Sequence, residues 1–178
     1  MAWALFGSQE RGVLEMIEHS GSHRVTAIVG GALLDEALTR TVTERLRKHA
    51  DIADKLFKVN GPLGNTVPKI DLLYMLYGID DATRKGLYGI AEVRNFFAHN
   101  LDASFDSTKP KFVDGMSKLT MHEGRTKYPH HLKKGADSEH PIESIRNVRD
   151  RFVVNLKIGL IALMSDRVSH KTWSSEPG

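Results

Sequence analysis

Apolar residues in this chain recur at the period of an α-helix along most of its length, and no segment keeps the period of a strand. The clearest run follows Pro141. Ile142, Ile145, Val148, Phe152, Val153, Leu156, Leu160, Leu163 and Met164 share one face, which predicts a helix over 141–169 with Pro141 at its first position. Further back, Val25, Ile28, Val29, Ala32 and Leu33 keep the same rhythm behind Ser22, a suitable N-cap. Leu38, Val42 and Leu46 extend that face towards a basic end that suits a helix C-terminus. Gly30-Gly31 inside this helix costs about 1 kcal/mol per glycine relative to alanine, so close helix–helix contact is the expected compensation. Shorter helices are expected over 9–19, 51–57 and 109–121. Another starts at Thr66 and Pro68 and stops at Gly78 in the left-handed conformation. A fifth runs from its cap at Asp80 to about Asn100. Tyr74, Met75 and Tyr77 fall on the helical stripe and are expected to pack in the core. The reading is all-α: a single-domain helical bundle spanning 1–178 with a long C-terminal helix.

Composition narrows what such a bundle can do. A chain of 178 residues buries enough surface to fold without a metal or disulfide staple. Cysteine is absent, which removes thiolate nucleophiles and Cys-type zinc sites. The longest apolar run, Ala27 to Leu34, is eight residues, far below the ~20 needed to cross a bilayer. The opening Met1-Ala-Trp-Ala-Leu-Phe6 has no basic flank and is too short for a secretory leader. A cytoplasmic protein with no membrane contact is expected. Trp3 and Phe6 hint at an interface or at a docked N-terminal helix.

Formal charge is only +3, concentrated in 109–149, where nine Lys/Arg face five Asp/Glu. This basic, His-rich connection, about 108–139, also carries His122, His130 and His131, with His140 just beyond. A solvated loop explains it well enough, and so weak a charge excess does not predict direct DNA binding. The histidines match no standard ligand spacing, so no metal and no cofactor are expected. Gly61-Pro-Leu-Gly64 lacks the Gly-Lys-Ser/Thr ending of a phosphate loop and reads as a shaped turn.

One cluster carries chemistry. At 100° per residue Arg94 lines up with Leu87, Ile90, Ala91, Phe97 and Leu101, so a guanidinium is expected in the apolar seam, where it needs an acceptor or an anion. Glu92, Asn95 and His99, spaced i, i+3, i+7, stack on one flank. Arg94 and His99 diverge by about 140° on an ideal helix, so they share a cleft only with help from a second helix or subunit. A buried polar network accounts for these residues without chemistry. Alternatively, a neutral imidazole can deprotonate a ribose 2′-OH and a guanidinium can stabilise charge on phosphorus oxygens, without a metal.

Several stretches together resemble the mannitol operon repressor (MltR) family. They are Arg24-Val-Thr-Ala-Ile-Val-Gly-Gly-Ala-Leu-Leu34, Leu56-Phe57, Gly61-Pro-Leu-Gly64, Lys69-Ile-Asp-Leu-Leu-Tyr74, Ile90-Ala-Glu-Val-Arg-Asn-Phe-Phe-Ala-His-Asn-Leu101 and Ser104-Phe-Asp106. The likeness covers about 22–106, and the segment 108–139 departs from it. It implies an all-α fold without a helix-turn-helix, and a transcriptional regulator working mainly through protein contacts. The Arg94-Asn95-x3-His99 core also resembles the HEPN superfamily motif of metal-independent ribonucleases and their non-catalytic relatives. That second resemblance implies His99 as general base, Arg94 as phosphate clamp, Asn95 in support and Glu92 orienting them, with a homodimer completing the cleft and RNA as ligand.

Overall fold

The Ser22 hydroxyl accepts a hydrogen bond from the Val25 amide at 3.3 Å, and the longest fully described helix starts there. In the computed structural model, residues 7–123 and 145–174 are described. They form α1 (Ser8–His19), α2 (His23–Arg45), α3 (Ala50–Phe57), α4 (Thr66–Met75), α5 (Asp81–His99), α6 (Pro110–Ser117) and α7 (Val148–Ser174), with no strand among the described residues. The all-α bundle expected from the periodicity is what forms.

α2 sits at the centre, packed on α1, α4, α5 and α7. Gly30-Gly31 makes this possible. A Cβ on Gly30 would lie 2.9 Å from Leu156 and 3.3 Å from Phe152 of α7. A Cβ on Gly31 would lie 2.3 Å from Cγ of Arg94 and 2.7 Å from its Cβ, on α5. The glycines thus weaken α2 as an isolated helix and let two neighbours close on it. Between these helices Phe97, Phe105 and Phe152 stack at centroid distances of 4.9 and 5.4 Å, and Phe112 lies 6.1 Å from Phe105. Such offset and edge contacts add to the apolar area buried.

Two arginines tie loops to this core by capping helix C-termini. Arg24 donates to the Phe97 carbonyl at 2.7 Å and the Asn100 carbonyl at 2.5 Å, at the end of α5. Arg149 donates to the carbonyls of Ile17, Glu18 and Ser20 at 2.6, 3.0 and 2.9 Å, at the end of α1. Each satisfies carbonyls that lack intrahelical partners and places a cation at the negative end of the dipole.

Three expectations are corrected. The last helix begins at Val148 rather than Pro141, because 145–147 are not helical. Asn147 accepts from the Asp150 amide as the N-cap, and the Asp150 carboxylate accepts from the Arg146 amide just outside the helix, which together start it there. Pro141 and Ile142, like Trp3, Phe6, His130, His131 and His140, lie outside the described residues. Gly78 does not take the left-handed position. Tyr77 does, at φ 57°. Gly78 N–H reaches the Leu73 carbonyl at 2.9 Å and Tyr77 N–H the Tyr74 carbonyl at 3.0 Å, a Schellman turn whose left-handed residue is one earlier than composition suggests. Finally, Ile70 and Leu73 are buried, but Tyr74, Met75 and Tyr77 are exposed, Tyr77 at 97%. α4 ends before its stripe can make another turn into the core.

Lys157 of α7 is buried and pairs with Glu18 of α1. Burial pushes its ammonium down to about 8, from an ordinary 10.5.

Two outcomes follow from this packing. Gly31→Ala is expected to cost about 1–3 kcal/mol, read as a melting temperature lower by roughly 2–4 °C per kcal/mol; an unchanged melt would mean Arg94 makes room freely. For Lys157, folded and unfolded chains both hold the proton below about pH 8, and only the unfolded chain holds it from there to 10.5. The unfolded state binding more protons, stability rises with pH across that window, by about 1–3 kcal/mol. Denaturant melts at both ends, parent against Lys157→Met, check it: the parent should gain on the variant as pH rises, and parallel profiles would contradict it.

Candidate functional site

α5 changes character along its length. In its first half Gly86, Leu87, Gly89, Ile90 and Ala91 bury most of the circumference. From Val93 on, only Val93, Phe96 and Phe97 remain buried. The side left open carries Asn95, Ala98 and His99. Gly89 lets α6 close on this helix: a Cβ there would lie 2.7 Å from the Gly115 carbonyl oxygen. That approach brings Lys118, just after α6, onto Glu92. Its Nζ stands 2.5 and 2.7 Å from the two carboxylate oxygens and 2.9 Å from Asp114 Oδ2. Burial works to lower the Lys118 ammonium, but the hydrogen bonds to Glu92 and Asp114 outweigh it and hold the group above the ordinary lysine range.

A groove of about 390 Å³ lies between the second half of α5 and α6, lined by Glu92, Asn95, Phe96, His99, Asn100, Lys111 and Asp114. Its polar groups divide into two kinds. Some are structural. Asn100 donates to the Phe96 carbonyl at 2.8 Å and accepts from Lys109 at 3.3 Å, while Glu92 and Asp114 are engaged by Lys118. Others are available: His99 and Lys111 make no hydrogen bond or ion pair among the described residues. The floor is the Phe96 ring, with the Lys109 ammonium 5.8 Å from its centroid. Two available nitrogen-bearing side chains over an aromatic floor suit a polar or anionic group, from a small ligand or a partner's side chain. No group of three or more His, Cys, Asp or Glu capable of holding a metal occurs among the described residues.

Of the sequence-predicted site residues, Glu92, Asn95 and His99 do line one groove. Arg94 does not. The expectation of a guanidinium buried in the apolar seam is corrected: Arg94 is exposed, its stem lies over Gly31 of α2, and its head donates to Asn95 Oδ1 at 3.0 Å. The long stem covers apolar surface while the charge stays in water. The projection put the start of the side chain at the α2 contact, where it is, but not its head, which the long stem carries past the seam to Asn95 and solvent. Leu101, expected on the same stripe, is likewise 94% exposed. Lys111, Asp114 and Lys118 were missed as site residues. The i, i+4 pair Asp114–Lys118 was legible in the sequence, but nothing there said that Glu92 completes it.

No helix among the described residues is long and apolar enough to cross a membrane. No family model matches the chain, and no curated protein matches it. Among solved structures it is similar to a chain of the X-ray structure of the MtlR-HPr complex from Escherichia coli, at 21% identity and a TM-score of 0.58, covering 90% of this chain and 99% of that one. The fold is MtlR-like.

Proposed function

We propose that this chain is a transcriptional regulatory protein of the mannitol-repressor type that acts through protein contacts in the cytoplasm, with HPr as a partner. One observation carries the reading: the likeness extends over 99% of a chain found in complex with HPr, with a TM-score of 0.58. The geometry is consistent with it. A groove of about 390 Å³ lies beside α6, and large apolar groups stand exposed on α4. Base reading needs a helix presented to the major groove and a strong basic face. The formal charge of +3 provides little of the latter, so direct DNA binding is not part of the proposal. Titration of the full chain with HPr by calorimetry is expected to give a saturable heat at a defined stoichiometry; no heat at concentrations up to about 1 mM, where binding free energies fall below roughly 4 kcal/mol, would overturn it.

A second reading rests on the shared groove of Glu92, Asn95 and His99, with Arg94 joined to it through Asn95. In that reading the groove binds RNA or cleaves it without a metal. His99 takes the 2′-OH proton, and Arg94, facing the α2 side of its own chain, serves the cleft of a homodimer. Glu92 is held by Lys118, so it acts by fixing α6 rather than by orienting His99. Single-stranded RNA incubated with the protein in EDTA tests this. Cleavage abolished in both His99→Ala and Arg94→Ala supports the nuclease, and an inert parent removes it.

A further inference from the structure

The groove between α5 and α6 sorts its hydrogen-bonding groups by kind. Its carboxylates are engaged: Lys118 Nζ lies 2.7 Å from Glu92 Oε2 and 2.9 Å from Asp114 Oδ2. The Asn100 side chain is engaged too, donating to the Phe96 carbonyl and accepting from Lys109. The groups left free are donors. Asn95 Oδ1 accepts from Arg94 at 3.0 Å, which orients the amide and leaves its NH2 without a partner among the described residues. Lys111 and His99 are likewise unpartnered there, and both are exposed. An ammonium or an amide NH2 can only donate, and an imidazole donates from at least one nitrogen. A ligand that satisfies this groove therefore brings acceptor oxygens.

Charge sets the sign of that ligand. The charged groups facing the groove are Glu92 from α5, Lys111 and Asp114 from α6, and Lys118 just after it, with Lys109 and Asp102 at the rim, 3.5 Å apart. With His99 neutral these cancel: Lys111 and Lys118 balance Glu92 and Asp114, and Lys109 balances Asp102. A proton on His99 makes the groove net positive. The helix ends lean the same way. His99 closes α5, where the Phe97 and Asn100 carbonyls are already taken by Arg24. Lys111 is the second residue of α6, so the groove meets that helix at the positive end of its dipole.

We propose that Asn95, His99 and Lys111 form a binding site for a phosphoryl group, complete within one chain. Three donors on three side chains can each take an oxygen of a tetrahedral oxyanion, whereas a carboxylate has two oxygens to share among them. Arg94 is not a ligand here; it keeps the Asn95 amide turned with its NH2 free. The site deepens the reading in which this groove takes RNA and rests on it for its place, yet the two fail separately. A chain inert towards RNA that still binds the anion loses the nuclease and keeps the site. One that cuts RNA without binding the anion keeps the nuclease and loses the site.

Sulfate is the probe, because it shares the shape of phosphate and keeps its charge across the range in which an ordinary imidazole titrates, about pH 6.5. Sodium sulfate is titrated into the full chain at constant ionic strength, with sodium acetate as the two-oxygen control. The amides of α5 and α6 and the histidine ring protons are followed by NMR. The parent is expected to show saturable shifts at Asn95, His99 and Lys111 with a dissociation constant of about 1–10 mM. Binding should tighten about fivefold between about pH 7.5 and about pH 5.5, the effect of one added charge in contact with the anion. Lys111→Met is expected to weaken sulfate about fivefold at either pH, and Lys85→Met, at the far end of α5, by less than about twofold. His99→Gln keeps a donor and should bind with the pH dependence gone. In the same assay a ribodinucleotide binding at least as tightly as inorganic phosphate assigns the group to an RNA backbone, and phosphate binding more tightly assigns it to a free phosphomonoester; either supports the site. No saturable shift up to about 50 mM sulfate, acetate binding as tightly as sulfate, or affinity unchanged in Lys111→Met would each overturn the proposal.

Discussion

The contact of α2 with two helices at once, through adjacent glycines, is the constraint on which the arrangement of the molecule depends. Gly30 admits Phe152 and Leu156 of α7, and Gly31 admits the stem of Arg94 from α5. With both neighbours drawn in, the phenylalanines of α5, of the loop after it and of α7 meet in one cluster. Helix propensity alone would disfavour two glycines at this point. Packing density, which a single methyl group would disturb, decides in their favour.

The same contact governs what α5 can offer to a ligand or partner. α5 packs against α2, α4, α6 and α7, and in its first half the half-buried Arg84 and Tyr88 lie beside α4 while Asp81, Ala82 and Lys85 are exposed. Its second half is open on one side, and α6 forms a groove with it, held by the Lys118 ion pairs to Glu92 and Asp114. An interior with capped helix ends therefore carries two distinct surfaces, a polar groove beside α6 and the exposed apolar side chains at the end of α4. Neither needs a moving element to form. Protein recognition by preformed faces is what such a scaffold supports best.

The helical class, the Ser22 and Asp80 caps, the compensation for Gly30-Gly31 and the groove-sharing of Glu92, Asn95 and His99 were all legible in the sequence, because each follows from local chemistry or from spacing on one helix. What escaped depends on neighbours. Arg94 projects onto the centre of an ideal apolar stripe, and its stem does pack on Gly31 of α2, yet its length carries the charge out to solvent. Tyr74 and Tyr77 continue a helical period that the chain abandons at Met75. The start of α7 at Val148 depended on the Asn147 cap and the Arg146–Asp150 hydrogen bond, which the more conspicuous Pro141 obscured. Lys118 could not be assigned to Glu92, 26 residues away, without the Gly89–Gly115 approach that joins their helices.

The central claim is that this fold works by presenting preformed faces to another protein. Hydrogen–deuterium exchange of the full chain, alone and with HPr, tests it most directly. The account predicts slower exchange over one contiguous surface on HPr addition, with the amides around the phenylalanine cluster unaltered. HPr leaving every segment unchanged, while single-stranded RNA slows the end of α5 and α6, would contradict it.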